Sequence, residues 1–508
     1  MRYAIPLSII TLLLGQMASP LAAAELARHF ASHMVLQRDR PVRLWGTGEA
    51  GERVTVTFGG KVASATVVPG GTWEATLPAF GVSAIGRELV FCSGKAERRL
   101  RDVLVGDVWI VAGQSNAEMT FGWGVLDGEA ERATANAHPG IRAMKVRHEE
   151  SLVPVDGDAP CGPWRVCTRE ALQDVTALGW FFARDINGRT GIPIGLLDVS
   201  WSASRIDPFV NREGLRAVPG LSWAEGLCAS RLVALRDWAE RPEGLSPVRV
   251  PASIPFGTRW NAMVAPLRRV AVAGVIWYQG CSNAGEKWDY ALKLEALVKG
   301  WRAFWGESLP FCIVQLAGYG HSTEHPAGGD GFASVRQAQF EVFRRLPQMG
   351  LAVALDLGDP NDIHPKNKQD LAARVALWAR RDVYGEKALV PSGPLYRESA
   401  REGNRLRVRF DFVGSGLMAA AKDPHAVGQP PQPMPGGALR GFALLGEDGN
   451  WHWATAVIDG RDVVVSADGV REPRAVRYAY RANPAACGGA NLYNREGLPA
   501  APFSGEGW

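Results

Sequence analysis

Val108-Trp109-Ile110-Val111-Ala112-Gly113-Gln114-Ser115-Asn116 reads as a buried strand that breaks at a glycine and turns into a helix. Five apolar residues in a row, without alternation, fit a strand covered on both faces, as in parallel sheets. Four more runs of strand length follow: Ile194–Val199, Gly274–Tyr278, Phe311–Leu316 and Leu351–Leu355. Between them lie helix-like stretches such as Ala177–Asn187, Tyr290–Phe304 and Lys368–Arg381. The alternation predicts an α/β region over residues 103–389, a parallel sheet with helices on both faces.

Outside that region the text is β-like. From 25 to 102, Val42–Trp45, Val54–Phe58, Val62–Val68 and Leu89–Cys92 are short alternating or β-branched runs separated by glycine turns. They predict an N-terminal β-sandwich module. Leu406–Phe412, Trp451–Ile458 and Val463–Ser466 predict an accessory β module over 390–477. Residues 478–508 are expected to pack back on the core. At the other end, Arg2, the apolar stretch Ala4–Leu14 and Leu21-Ala22-Ala23-Ala24 read as an export signal over 1–24. The mature chain is then expected in the periplasm or outside the cell, with no membrane contact after cleavage.

Composition narrows the functional classes. With 46% hydrophobic and 21% charged residues in 508, the chain is neither disordered nor fibrous. A net charge of +4, without a basic run, argues against nucleic acid as a partner. Buried core aromatics account for most of the eighteen tryptophans, and sugar-binding proteins also use tryptophans as stacking platforms. Of seven cysteines, Cys161 and Cys167 enclose Gly162-Pro163-Trp164, a turn-prone loop, and are the expected disulfide. His321 and His325 have helical ligand spacing, but Pro326 argues for a loop, so no metal site is expected.

Ligand sites of open α/β sheets lie beyond the carboxyl ends of the strands. Three loops there carry candidate chemistry. Ser115, at a strand-to-helix turn, can act as a nucleophile or merely cap the helix. Gln279-Gly280-Cys281-Ser282-Asn283 offers amide donors for an oxyanion or ties within the loop. Asp356-Leu357-Gly358-Asp359-Pro360-Asn361-Asp362-Ile363-His364-Pro365 offers a general base with an orienting acid, or a solvated surface histidine. Together, in the order Ser, Gln/Asn, His, the loops point to acyl transfer.

These three motifs resemble the sialate O-acetylesterase family of the SGNH hydrolases. Met34-Val35-Leu36-Gln37, Asn261-Ala262-Met263 with Pro266, Val476-Arg477-Tyr478, Asn491-Leu492-Tyr493-Asn494 and Gly497-Leu498-Pro499-Ala500 extend the resemblance along the mature chain. It implies a flavodoxin-like core and removal of acetyl groups from carbohydrates through an acetyl-serine, without metal or cofactor. Ser115 would be the nucleophile and His364 the base. The Ser115 N–H, Gln279 and a backbone N–H of the loop after Ile194–Val199, at Ser202 or Ala203, would hold the oxyanion. Trp201, Arg205 and Asn283 are assigned to the sugar. Two departures stand out: Trp201-Ser202-Ala203-Ser204 where members carry Trp-Gly-Gly-Thr, and Cys281 where an acid is common. Cys281 is read as filling space. The family commonly places its acid three residues before the histidine, and here that residue is Asn361. Asp362 is the preferred partner of His364, with Asp359 and a backbone carbonyl as alternatives. Xylan, xyloglucan and O-acetylated sialic acid are all compatible substrates. A non-catalytic carbohydrate-binding protein on the same fold is the reading from another class.

Overall fold

A computed structural model describes residues 23–94, 96–226, 256–434, 436–484 and 489–506. The export signal read over 1–24 lies almost wholly outside the described residues. Six parallel strands form the central sheet: β1 (Ala96–Gly113), β2 (Ile141–Lys145), β3 (Ile194–Asp198), β4 (Gly274–Tyr278), β5 (Phe311–Val314) and β6 (Met349–Ala352). Their order is β2-β3-β1-β4-β5-β6. The chain leaves β1 to one side for β2 and β3, then crosses to the other for β4 to β6. The sheet therefore reverses direction at β1, and a crevice opens beyond its carboxyl end. Ser115 follows that end directly.

The unbroken apolar text of β1 has a simple cause: Val108 to Ala112 have no exposed surface. Helices α1 (Ala177–Thr190), α2 (Trp288–Trp305), α3 (Gly331–Arg345) and α4 (Lys368–Asp382) cover the sheet. On one face Trp109 meets Phe182 of α1 and Trp378 of α4; on the other Trp277 meets Trp301 of α2. Three of the helices start on side-chain caps: Thr176 accepts from Gly179 N, Asp330 from Ala333 N and Asn367 from Asp370 N. Gly191, at φ 69°, closes α1 in the left-handed conformation.

Before β1, one three-stranded sheet holds Glu25–Leu26, Val42–Thr47 and Thr72–Leu77. A second, with Arg53–Phe58, Lys61–Thr66 and Ser83–Ser93, pairs with the first half of β1. The expected division at 102–103 falls inside that strand, where Asp102 adopts φ 54°. Antiparallel strands between Leu395 and Ser466 make up most of the region after the core. The chain then returns: Gln337 of α3 accepts from Ser504 N at 2.8 Å, and Arg336 donates to the carbonyls of Arg481 and Ala482.

The expected Cys161–Cys167 disulfide is not formed; both are free thiols. Residues 161–167 run along β2 instead of turning back. Cys161 pairs with Val146, while Cys167 N donates to Ile141 O. Five positions of extended strand separate the two cysteines by roughly 16 Å, and a disulfide needs Cα atoms within about 7 Å.

Candidate active site

Gly113 is the pivot. Its φ is 132°, and a Cβ there would lie 2.1 Å from Tyr278 O, so β1 and β4 approach as only glycine allows. Gln114 N donates to Tyr278 O, and the Gln114 side chain accepts from Gly280 N at 2.9 Å. Ser115 then opens a short helix, Ser115–Glu118. Asn116 donates to Ile363 O at 2.9 Å and accepts from the buried Lys368 ammonium at 2.7 Å. These bonds hold the serine turn against the loop after β6.

That loop brings His364 Nε2 to 2.9 Å from Ser115 Oγ. Asp362 Oδ1 lies 3.3 Å from His364 Nδ1 and accepts His364 N at 2.8 Å, while Asp362 Oδ2 pairs with Lys366 at 3.0 Å. The turn before Pro365 thus folds the carboxylate back onto the ring two residues on. Asp359 accepts from Asn361 N, and Asn361 is exposed. Burial lowers the His364 pKa, and the cations Lys368 and Lys366 outweigh part of the pull of Asp362. The ring is neutral at pH 7, as a base must be. Burial also pushes the Asp362 carboxyl up, but the His364 N–H and Lys366 more than offset it and leave it below its ordinary value.

The expected oxyanion donors divide. Ser202 gives both its N–H and its hydroxyl to Glu118 Oε2, at 2.6 Å each. Gln279 is fully buried and donates to Ser204 O at 3.0 Å and Asn283 Oδ1 at 2.7 Å. In this arrangement the hydrogens of both groups are engaged within the protein. Ala203, by contrast, is exposed at φ 56° in the turn between them, the left-handed position that members fill with glycine.

The expected sugar contacts are also engaged. Trp201 is covered on one face by His148, stacked at 4.5 Å and 4°, and carries the Arg259 guanidinium 3.8 Å from its ring centre. Arg205 pairs with Asp207 and Glu286 and donates to Ser282 O. Asn283 accepts from Ile206 N and donates to Glu286. All three brace the loops. Burial pushes the Cys281 thiol up to about 12, consistent with a space-filling cysteine.

Comparison with known proteins fits this geometry. Residues 228–376 match the family model for carbohydrate esterases described as sialic acid-specific acetylesterase. The sialate O-acetylesterase of Rattus norvegicus is 32% identical over 416 residues, 73% of this chain and 75% of that protein. The Homo sapiens enzyme is 29% identical over 417 residues, 73% and 74% of the two chains. The chain belongs to the sialate O-acetylesterase family. A crystal structure of a carbohydrate acetylesterase from Xanthomonas citri is also similar, at 34% identity and TM-score 0.78, covering 96% of this chain and all of that one.

The sequence did not reveal how this family member holds its second loop. Glu118, three residues after Ser115, meets Lys145 Nζ at 3.0 Å and His148 Nε2 at 2.9 Å as well as Ser202. Lys145 also reaches Asp198 Oδ2 at 3.1 Å, and Ser200 donates to the same carboxylate. Burial raises the Glu118 pKa, but Lys145, Ser202 and His148 outweigh it and the net shift is downward. Its partners come from two other places in the chain, the end of β2 with the loop beyond it and the loop after β3.

Proposed function

We infer that this protein is a serine esterase that removes O-acetyl groups from carbohydrates. Ser115 Oγ attacks the acetyl carbonyl while His364 Nε2 takes its proton, and Asp362 steadies the imidazolium that forms. The tetrahedral oxyanion rests on the backbone N–H groups of Ser115 and Ala203, the second replacing the Ser202 group that Glu118 occupies. Collapse expels the sugar oxygen, which takes the proton from His364 and leaves acetyl-serine. Water, activated by His364, then releases acetate. No step needs a metal or an organic cofactor.

The 2.9 Å approach of His364 Nε2 to Ser115 Oγ, with the ring neutral, carries this reading. A carbohydrate-binding protein without catalysis has no use for that pair. The substrate is an acetylated sugar, either a plant-wall hemicellulose (xylan or xyloglucan) oligosaccharide or O-acetylated sialic acid, met after export. The flanking β regions are read as sandwich modules framing the sugar. Acetate release from the three substrates, by parent and Ser115→Ala, is the test. A loss of at least ~10³-fold in kcat is expected, since nucleophile and base act as a unit. Turnover near the parent's would remove Ser115 from the mechanism.

A further inference from the structure

If His364 returns its proton to the leaving oxygen, as the proposed mechanism requires, the acetylated ring must sit one bond beyond the reach of Nε2. Trp123 stands beside the same imidazole. Its ring centre lies 5.8 Å from that of His364, with the two planes at 88°. It is 41% exposed, although its neighbours are firmly held. Phe121 is buried against Trp180 and Phe181, a Cβ on Gly122 would strike the Gln173 amide at 2.4 Å, and Lys366 donates to Trp123 O at 3.0 Å. A large indole is thus presented on a rigid turn beside the base. Trp201, on the loop after β3, has both faces covered, whereas among the described residues no ring but His364 and no cation packs on Trp123.

Charge limits which sugar can rest there. Four cations on the surrounding loops are already matched. Lys145 lies between Glu118 and Asp198, Arg205 between Asp207 and Glu286, Arg259 meets Glu150, and Lys366 meets Asp362. A substrate carboxylate drawn to any of these four would have to displace its partner, leaving a protein carboxylate unpaired. A neutral sugar needs only an apolar face and hydrogen bonds.

The geometry points to Trp123 as the platform for the acetylated ring of a neutral sugar, rather than an anionic one. This rests on the esterase reading above and adds the substrate class. The experiment compares kcat and KM for acetylated xylo-oligosaccharides, O-acetylated sialic acid and ethyl acetate, using the parent, Trp123→Ala and Trp123→Phe. The parent should prefer the neutral oligosaccharide to the sialic acid. Trp123→Ala should lose roughly 10- to 100-fold in kcat/KM on the oligosaccharide, mostly through KM, as expected for one lost aromatic contact. That loss should exceed the loss on ethyl acetate by about tenfold, and Trp123→Phe should recover most of it. Equal losses on both esters would make Trp123 a support for His364 and overturn the proposal, as would no loss on the oligosaccharide. A preference for sialic acid would overturn the substrate class. A parent that cleaves ethyl acetate but no sugar ester would instead defeat the carbohydrate reading itself.

Discussion

Asp362→Asn tests whether a carboxylate or the histidine alone runs this site. In a serine protease triad the same change costs about 10⁴-fold in kcat, because the amide holds the imidazole in the wrong tautomer. Here the contact is longer, 3.3 Å from Oδ1 to Nδ1, and the two side chains are 35% and 27% exposed. Oδ1 is also shared with the His364 N–H, which an asparagine oxygen can still accept. We therefore expect a smaller loss, about 10²- to 10³-fold, or roughly 3–4 kcal/mol of transition-state stabilisation. The pH profile supplies an independent sign. The Asp362 charge raises the His364 pKa, while Lys366 lowers it. Removing the carboxylate leaves Lys366 uncompensated 3.0 Å from the substituted side chain, so the His364 pKa falls further. The acid limb of kcat/KM, which reports the base in the free enzyme, must move to lower pH even as the plateau drops. Steady-state acetate release from pH 4 to 9, for parent, Asp362→Asn and Asp359→Asn, measures both effects. If Asp362→Asn stays within tenfold of the parent and its acid limb does not move, a Ser–His dyad stands and the reasoning fails.

Gly113→Ala should destabilise the protein by at least about 3 kcal/mol in urea unfolding, since the new Cβ meets Tyr278 O at 2.1 Å in a left-handed conformation; a cost under 1 kcal/mol would show that β1 and β4 can separate freely. Lys368 is buried, and its pKa is lowered to about 7, chiefly by that burial. The unfolded chain holds this proton up to about 10.5 and the folded chain releases it near 7, so the parent gains stability as pH rises between those values. Lys368→Met lacks that gain, and its Tm relative to the parent should fall steadily from pH 6 to pH 9.5. A pH-independent difference would mean that Lys368 stays charged in the fold.

The sheet was legible where burial was two-sided. Val108–Ala112 of β1, Ile194–Leu197 of β3, β4 and β5 read as apolar runs because no face of them meets water. β2 was hidden by Arg142 and Lys145, whose charges are neutralised by Asp102, Glu118 and Asp198 from elsewhere in the chain. Helix α3 escaped notice for a similar reason. Arg336 is fully buried in it, donating to the carbonyls of Leu316, Ala317, Arg481 and Ala482, which a one-dimensional pattern scores as surface. In the site, the three loops together made Ser115 and His364 candidates, and the resemblance gave them their roles. Choosing Asp362 over Asp359 needed the turn before Pro365. The proposed oxyanion donors are the least legible part. A backbone N–H carries no residue-type signal, and whether Ser202 or Ala203 is free depends on a carboxylate more than eighty residues away.

The strand that leads into Ser115 also ties the N-terminal sheets to the site. β1 is 18 residues long, and its first half pairs with Ser83–Ser93 and Val35–Gln37 before its second half enters the core. At the junction Asp102 bonds His33 Nδ1 at 2.8 Å and Arg142 at 3.0 Å, linking the N-terminal region to β2. Val103, Leu104 and Val105 are buried where the two halves meet. An independent appendage would join through an exposed linker with few contacts. Here the junction is a continuous buried strand, so loss of the N-terminal sheets would uncover apolar surface eight to ten residues before Gly113 on the very strand that leads into Ser115. The sequence reads as separate modules because glycine turns punctuate it; the hydrogen bonding of β1 makes those modules one support for Ser115.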